Sequence, residues 1–244
     1  MTLFLSDLHL GRGTPSQSRA AERALVALLD HYAPRAEALY LVGDAFDQFI
    51  EYRHLAPKGA ARFLGRLADW ADAGRRVVYV LGNRDPWHGG FFSSELGVRM
   101  ISDGLQAVHY GCRVYIAHGD ALVPEDRAYQ RLRPVLRHPL ALRLYRAALP
   151  ADWGYGLARR VGRRAGGADR DPTAARALHR HAQHLLGEVD LVVFGHCHQA
   201  ALTAYPRGFY LNPGFWFADR TFGTLDAQGP ALHRWADSHA IRLA

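Results

Sequence analysis

Lysine is nearly missing from this chain of 244 residues. Lys58 is the only lysine among 30 basic residues, so arginine carries almost all of the positive charge. The formal net charge is +7. Guanidinium forks pair bidentately with phosphate, so anionic partners fit this balance, although a GC-rich coding sequence also writes arginine for lysine. Cysteine is scarce too. Cys112 and Cys197 are the only two, which excludes a disulfide framework and fits a reducing compartment. No run approaches the roughly 20 apolar residues that a membrane span needs. The first residues pass straight into a strand pattern, without a basic stretch followed by a long apolar one, so no secretory leader is expected. There is no internal repeat and no long low-complexity tract; residues 163–171, RRAGGADRD, read as the best loop candidate. With 49% hydrophobic residues the chain can bury a full core, as one larger α/β domain or a domain with an insertion.

What the chain does have is a set of ligand-type residues in five short blocks, each at the end of an apolar run. They are Asp7 and His9 in SDLHL, Asp44 in VGDAFD, Asn83 in LGNRD, His118 in AHGD, and His196 with His198 in FGHCH. The runs at 2–5, 39–42, 77–81, 114–117 and 191–194 read as buried strands. In open α/β sheets ligands bind beyond the carboxyl ends of the strands, so five such loops are able to converge. Carboxylate, amide and imidazole donors without a thiolate suit two divalent ions such as Mn²⁺ and not a structural zinc. Cys197 lies between two of the histidines, but an extended backbone points its side chain away from theirs. Unrelated turns and core histidines are the plain alternative; five blocks in order, each after a strand, weigh against it.

The first part of the chain alternates strand and helix, with helices expected near 18–32 and 59–73 and Gly74 closing the second. That alternation implies parallel strands with helical crossovers. Residues 107–109 and 114–117 flank Tyr110-Gly111-Cys112 as a hairpin-like pair. Residues 124–186 read as interrupted helix. Short strands resume at 201–205, 208–211, 221–226 and 231–235, with turns at 206–208 and 227–229. The expectation is an α/β fold: a two-sheet sandwich flanked by helices, in four layers αββα. Residues 1–123 and 187–244 form the core, and a helical cap at 124–186 is inserted between the fourth and fifth blocks.

The D-x-H, G-D, G-N, H-G-D and G-H-x-H blocks, in this order, resemble those of the calcineurin-like metallophosphoesterases, from Asp7 to about Trp216. The same layered sandwich is what that resemblance implies. Asp44, after a central strand, is the natural bridge between two ions. By resemblance Asp7, His9 and His198 complete one site, and Asn83, His118 and His196 the other. Two such ions lower the pKa of a shared water and neutralise phosphoryl oxygens. Asp120, Asp47 and Asp85 are candidates to orient a ligand histidine through its second ring nitrogen. Asn212, in LNPGFW, either lines the site edge or makes a turn before Pro213, and the turn is the favoured reading.

Arg84 narrows the chemistry. Many relatives place histidine after the GN asparagine, where it protonates a leaving alcohol. Arginine stays charged and is no general acid. The leaving group of a pyrophosphate is a phosphate monoester with a second pKa of about 6, which departs without a proton when a fixed positive charge meets it. GNRD resembles the block of UDP-2,3-diacylglucosamine pyrophosphatases, enzymes of lipid A synthesis in Gram-negative bacteria, and so does the stretch that follows His118. This resemblance assigns the chemistry to Arg84, Asp44 and His118 and substrate contacts to Asn83, Arg84, Asp126 and Tyr129. It implies cleavage of UDP-2,3-diacylglucosamine to UMP and 2,3-diacylglucosamine 1-phosphate. The chain departs from that family at two places: Arg163, Arg164, Gly166 and Gly167 stand where lysine and serine are common, and the LNPGFW block is the generic one.

Between Arg127 and Arg180, arginines alternate with Leu132, Val135, Leu140, Leu144, Trp153 and Leu157 at helical spacing. Such faces suit an anionic membrane surface or the wall of an acyl-chain chamber, and also ordinary helix packing. The arginines cluster with leucines and not along a polar groove, so nucleic acid is not expected, and no obligate protein partner is inferred. His181 and His184, one turn apart, read as a solvated helix face. The expectation is a cytoplasmic enzyme, peripheral on the inner membrane, acting on a UDP-linked glycolipid. A broader phosphodiesterase or nucleotide pyrophosphatase is the alternative, and a non-catalytic scaffold is a third.

Overall fold

The computed structural model describes residues 1–123, 127–165 and 170–244, and all five apolar runs ahead of the ligand blocks are strands in it. The first half runs β1 (Thr2–Leu5), α1 (Pro15–Tyr32), β2 (Ala38–Val42), α2 (Ala61–Asp72), β3 (Arg76–Val80), α3 (Phe91–Ser94) and β4 (Arg99–Ile101). A hairpin follows, β5 (Gly104–His109) and β6 (Cys112–Ala117), then four helices, α4 (Arg127–Leu136), α5 (Pro139–Ala148), α6 (Ala151–Ala165) and α7 (Pro172–Leu185). The chain closes with β7 (Leu191–Phe194), β8 (Ala201–Tyr205), β9 (Gly208–Asn212), α8 (Trp216–Asp219), β10 (Thr221–Asp226), β11 (Gly229–Ala236) and β12 (His239–Arg242).

Local chemistry sets the boundaries. α1 begins three residues before the expected Ser18. Thr14 accepts from Gln17 N at 3.3 Å while Gln17 Oε1 accepts from Thr14 N at 2.8 Å, a reciprocal cap with Pro15 in the first turn. α2 begins two residues after the expected Gly59. Its free N–H groups on Arg62 and Phe63 are taken by the buried Glu22 carboxylate of α1, at 2.8 and 3.3 Å. The β5–β6 turn is Tyr110-Gly111, with φ of 53° and 77°, the positive values that a tight hairpin needs. The short edge strands β4 and β12 carry too little alternation to be read from sequence.

Among the described residues there are two sheets. One has the order β12-β11-β10-β1-β2-β3-β4, the other β5-β6-β7-β9-β8. β1, β2, β3 and β4 are parallel neighbours, as are β6, β7 and β9. Every residue of β1, β2 and β7 is buried, as expected of parallel strands covered on both faces. Side chains alternate between two cores. Leu3, Leu5, Leu39 and Leu41 pack outward against Leu25 and Leu28 of α1 and Phe63, Leu67 and Trp70 of α2. Phe4, Tyr40, Val42 and Val78 face Val114, Ile116, Leu191 and Val193 of the other sheet. The outer face of the second sheet, with Val192, Phe194 and Tyr210, is covered by Ala174, Leu178 and Ala182 of α7. The layers are therefore αββα, as expected.

The helical stretch is of two kinds. α7 is a layer of the sandwich. α4, α5 and α6 leave large apolar side chains in solvent: Leu132, Val135, Leu140, Leu144, Trp153, Leu157 and Val161 are all between 46% and 75% exposed.

Candidate metal centre

The seven ligand-type side chains come from the carboxyl ends of β1, β2, β3, β6 and β7 and meet at one place. Asp7 Oδ1 lies 3.2 Å from His198 Nε2 and 3.7 Å from His9 Nε2. His9 Nε2 and His198 Nε2 are 3.1 Å apart. A second group forms beside it, with Asn83 Oδ1 at 3.0 Å from His118 Nε2 and 3.1 Å from His196 Nδ1. Asp44 stands between the groups: one oxygen is 3.8 Å from His9 Nε2, the other 3.6 Å from His118 Nε2. Asp7, His9, Asp44 and His118 are essentially closed to solvent.

The backbone at these residues is unusual. Asp7, His9, Asp44, His196 and His198 all have positive φ, between 43° and 67°. Non-glycine residues seldom adopt this region, and Asp, Asn and His tolerate it best. The conformation turns each chain sharply as it leaves its strand and aims the side chain over the sheet end. Asp7 N and His9 N then donate to Gly43 O and Asp44 O, at 3.1 and 3.0 Å, which stitches the first two loops together. The glycines of the blocks serve close approach. A Cβ at Gly82 would overlap Asp44 Oδ1, and one at Gly195 would overlap Ser6 Oγ.

Neighbouring groups fix the ring orientations. His118 Nδ1 lies 2.9 Å from Val42 O, which holds the proton on that nitrogen and leaves Nε2 to the site. Asp120, expected near a ligand histidine, does not serve this one. It accepts from Tyr129 Oη at 2.6 Å and Arg133 Nε at 2.9 Å, because the backbone carbonyl already occupies the ring's second nitrogen. Asp47 does approach one of these histidines, its Oδ1 lying 3.4 Å from His9 Nδ1. Asp85 instead collects the Tyr79 hydroxyl and the N–H groups of Phe46 and Gly82, the last two at 3.1 Å, and so braces the loop ahead of Asn83. Asn212 makes the expected turn, accepting from Gly214 N at 2.9 Å, and also holds the last block by donating to Gly195 O at 2.9 Å and approaching Cys197 Sγ at 3.2 Å. Burial pushes the Cys197 thiol up to about 12, so it stays neutral.

Two partners escaped the sequence reading. Ser6 Oγ donates to Asp7 Oδ2 at 2.5 Å and reaches Val42 O at 3.0 Å. The Phe215 ring stacks on His198 and meets His9 edge-on, and the Arg12 guanidinium lies 5.3 Å above that same ring. Ser6 adjoins a ligand and was legible as such; Phe215 lies after a turn whose course no local pattern reveals. Of the expected substrate contacts, Asn83 is in the centre and Arg84 is beside it, its backbone N donating to Asp44 Oδ1 at 2.8 Å. Tyr129 sits on Asp120. Asp126 lies outside the described residues, as do Gly166 and Gly167.

The electrostatics suit cations. Burial opposes charge on both Asp7 and His9. For Asp7 the nearby His198 charge prevails and holds the carboxyl low. For His9 the nearby Asp47, Asp7 and Asp44 carboxylates prevail and raise the imidazole to about 9. Burial and the His118 charge depress His196 to about 4, so it offers a neutral nitrogen. Asp7 Oδ1 and His9 Nδ1 are buried without a hydrogen-bond partner, a cost that a coordinated ion offsets directly or through its charge. Asp7 with His9 and His198, and Asp7 with Asp44 and His118, each present donor atoms within 4.8 Å of one another. The residues present fit divalent ions.

A layered αββα sandwich with carboxylate, amide and imidazole ligands over one sheet end is the architecture of the dinuclear metallophosphoesterases. Residues 1–200 match the family described as calcineurin-like phosphoesterase, and the chain belongs to that family. It is similar to the UDP-2,3-diacylglucosamine hydrolase of Porphyromonas gingivalis, 36% identical over 64% of this chain and 59% of the relative. It is also similar to the protein of that name from Nitrosococcus oceani, 40% identical over 66% of this chain and 62% of the relative. The chain thus spans about six tenths of the length of these relatives. Among solved structures it shares its fold with Vacuolar Protein Sorting 29 from Cryptosporidium parvum, with a TM-score of 0.51 and 15% identity over 99% of this chain and 94% of the other. The phosphoesterase Yfce from E. coli gives a TM-score of 0.50 and 18% identity over 100% of this chain and 98% of the other.

Proposed function

We propose that this protein hydrolyses the diphosphate of UDP-2,3-diacylglucosamine, with two Mn²⁺ ions, to UMP and 2,3-diacylglucosamine 1-phosphate. The observation that carries this reading is the pair of clusters joined by Asp44, with Arg84 anchored beside them. Asp7, His9 and His198 would hold one ion and Asn83, His118 and His196 the other, with Asp44 shared. When bound, such ions supply an acidified water near neutral pH and neutralise phosphoryl charge. Oxygen and imidazole donors without thiolate favour Mn²⁺.

The chain's own groups do the rest. His118, steered by Val42 O, keeps its free nitrogen toward the site. Arg84 binds the diphosphate and meets the charge that grows on the departing glucosamine phosphate as water adds to the phosphorus nearer uridine and the P–O–P bond breaks. That leaving group needs no proton, so a permanently charged residue suffices where an alcohol would need an acid. The cap would comprise α4, α5 and α6. The exposed apolar side chains of these helices, with Arg131, Arg143, Arg159 and Arg160 among them, would rest on an anionic membrane surface and admit the acyl chains. No helix among the described residues is long and apolar enough to cross a membrane.

The deciding experiment is product analysis after incubation with UDP-2,3-diacylglucosamine and Mn²⁺. UMP is the expected product. Equal turnover of a nucleotide diphosphate lacking acyl chains would instead favour a general nucleotide pyrophosphatase.

A further inference from the structure

Arg137 follows the last residue of α4 yet spends its hydrogen bonds on the core. Its side chain is only 12% exposed. Nη2 donates to Gly82 O at 3.2 Å and lies 3.3 Å from Leu81 O, the two residues ahead of Asn83. The same nitrogen is 3.2 Å from Asp120 Oδ2, two residues beyond His118. Nη1 donates to Ser102 O and lies 3.6 Å from Asp103 Oδ1. One guanidinium therefore touches both segments whose ligands, Asn83 and His118, meet at 3.0 Å.

Those carbonyls lie beyond the end of β3, where the strand ladder has stopped and backbone acceptors need another partner. A planar fork with five donors is able to serve several acceptors on two segments at once; an ammonium on a flexible stem is not an equivalent tie. Asp120 is buried, so its charge needs the guanidiniums that reach it. Arg133 reaches Asp120 and Asp103 as well, at 2.9 and 2.6 Å, and its hydrogen bonds run to those two carboxylates. It offers a built-in comparison: the same carboxylates, reached from one turn earlier, without the Leu81, Gly82 and Ser102 carbonyls.

We propose that Arg137 is a positioning residue for the metal centre, holding the segments that carry Asn83 and His118 at a fixed separation from the cap side. This rests on the two-ion reading above. The cap then does more than cover substrate, because its first helix sets the geometry of one of the two ion sites. The site of Asn83, His118 and His196 depends on Arg137, and the site of Asp7, His9 and His198 does not.

The test is calorimetric titration of the metal-stripped full chain with MnCl₂, run on wild type, Arg137→Lys, Arg137→Ala and Arg133→Ala, with thermal melts of each. Wild type is expected to bind two ions. Both Arg137 variants should weaken one of the two sites by about 10- to 100-fold and leave the other, the range seen when a group that orients a ligand is lost. Arg133→Ala should keep both sites near wild-type affinity. Added guanidinium, but not methylammonium, should restore part of the lost affinity in Arg137→Ala. If Arg137→Ala proves unfolded, Arg137→Lys decides the matter by the same criterion. Wild-type affinities at both sites in a folded Arg137 variant would overturn the inference, as would an equal loss in Arg133→Ala. A wild-type chain that takes up no Mn²⁺ would overturn the two-ion reading itself, and this inference with it.

Discussion

Phe215 and His198 lie face to face, their ring centres 4.3 Å apart and their planes 12° from parallel. Phe215 is buried and also meets His9 edge-on at 5.4 Å, so one aromatic ring fixes two imidazoles of the same ligand group. Phe215→Leu keeps an apolar filler but removes the flat surface. It should lower Mn²⁺ affinity by about tenfold, as loss of a group that orients ligands does. Phe215→Ala should in addition cost about 3–5 kcal/mol of stability as a cavity forms. Titration and denaturant melts separate the two effects.

Arg84 holds Asp44 through its backbone N–H, which any substitution but proline preserves. Arg84→Ala should therefore retain its ions, measured by elemental analysis, while kcat/KM on the diphosphate falls about 10²- to 10³-fold, the loss expected for a single charge-stabilising donor. Equal loss of metal and turnover would contradict a role on the substrate.

Removing the ions should soften the fold as well as stop turnover. Chelation leaves the buried Asp7 Oδ1 without a partner. Mn²⁺ at 100 times its dissociation constant should add about 2.7 kcal/mol per site to unfolding free energy, by mass action. A melting temperature that ignores both chelator and Mn²⁺ would contradict a metal centre here.

His88 offers a pH test away from the ligands. Burial depresses its imidazole to about 3, although the residue as a whole is partly exposed. It stacks on Phe49 at 4.5 Å. Since the folded value lies below the unfolded value of about 6.5, protons enter the unfolded chain first as pH falls. Its contribution is destabilising and grows from about pH 6.5 down toward pH 3. His88→Phe should lose less stability than wild type between pH 7 and pH 4 in metal-free denaturant titrations, by about 1 kcal/mol or more. Parallel pH profiles would show that this ring is not the acid-sensitive group.

Trp153 is 75% exposed on α6. Trp153→Ser should shift unfolding free energy by no more than about 0.5 kcal/mol, as exposed substitutions do. It should reduce sedimentation with anionic phospholipid vesicles several-fold. Unchanged vesicle binding would remove this face from the membrane contact.

Much of the fold was legible because its strands are short apolar runs that end in turn residues. β1, β7, β8 and β10 begin and end where the pattern places them, and the αββα layering follows from the switch between strand–helix alternation and plain strands. How the helices between β6 and β7 divide was not legible. α7 has the same helical periodicity as α4 to α6, and only its contacts with Val192, Phe194 and Tyr210 make it a layer of the sandwich. Likewise, Asp120 carried no mark in the sequence of the arginines it would meet, since Arg133 and Arg137 reach it only through the docking of α4.

Local sequence alone determined which residue types stand at the strand ends, because ligand identity and the turn that follows each strand are properties of a few neighbouring residues. Tertiary structure alone decided how those ends are grouped: Asp44 between two clusters, Phe215 on His198, Arg137 across two loops. Each of these pairings joins segments far apart in the chain, and their separation is set by sheet order and layer spacing, which no local pattern encodes.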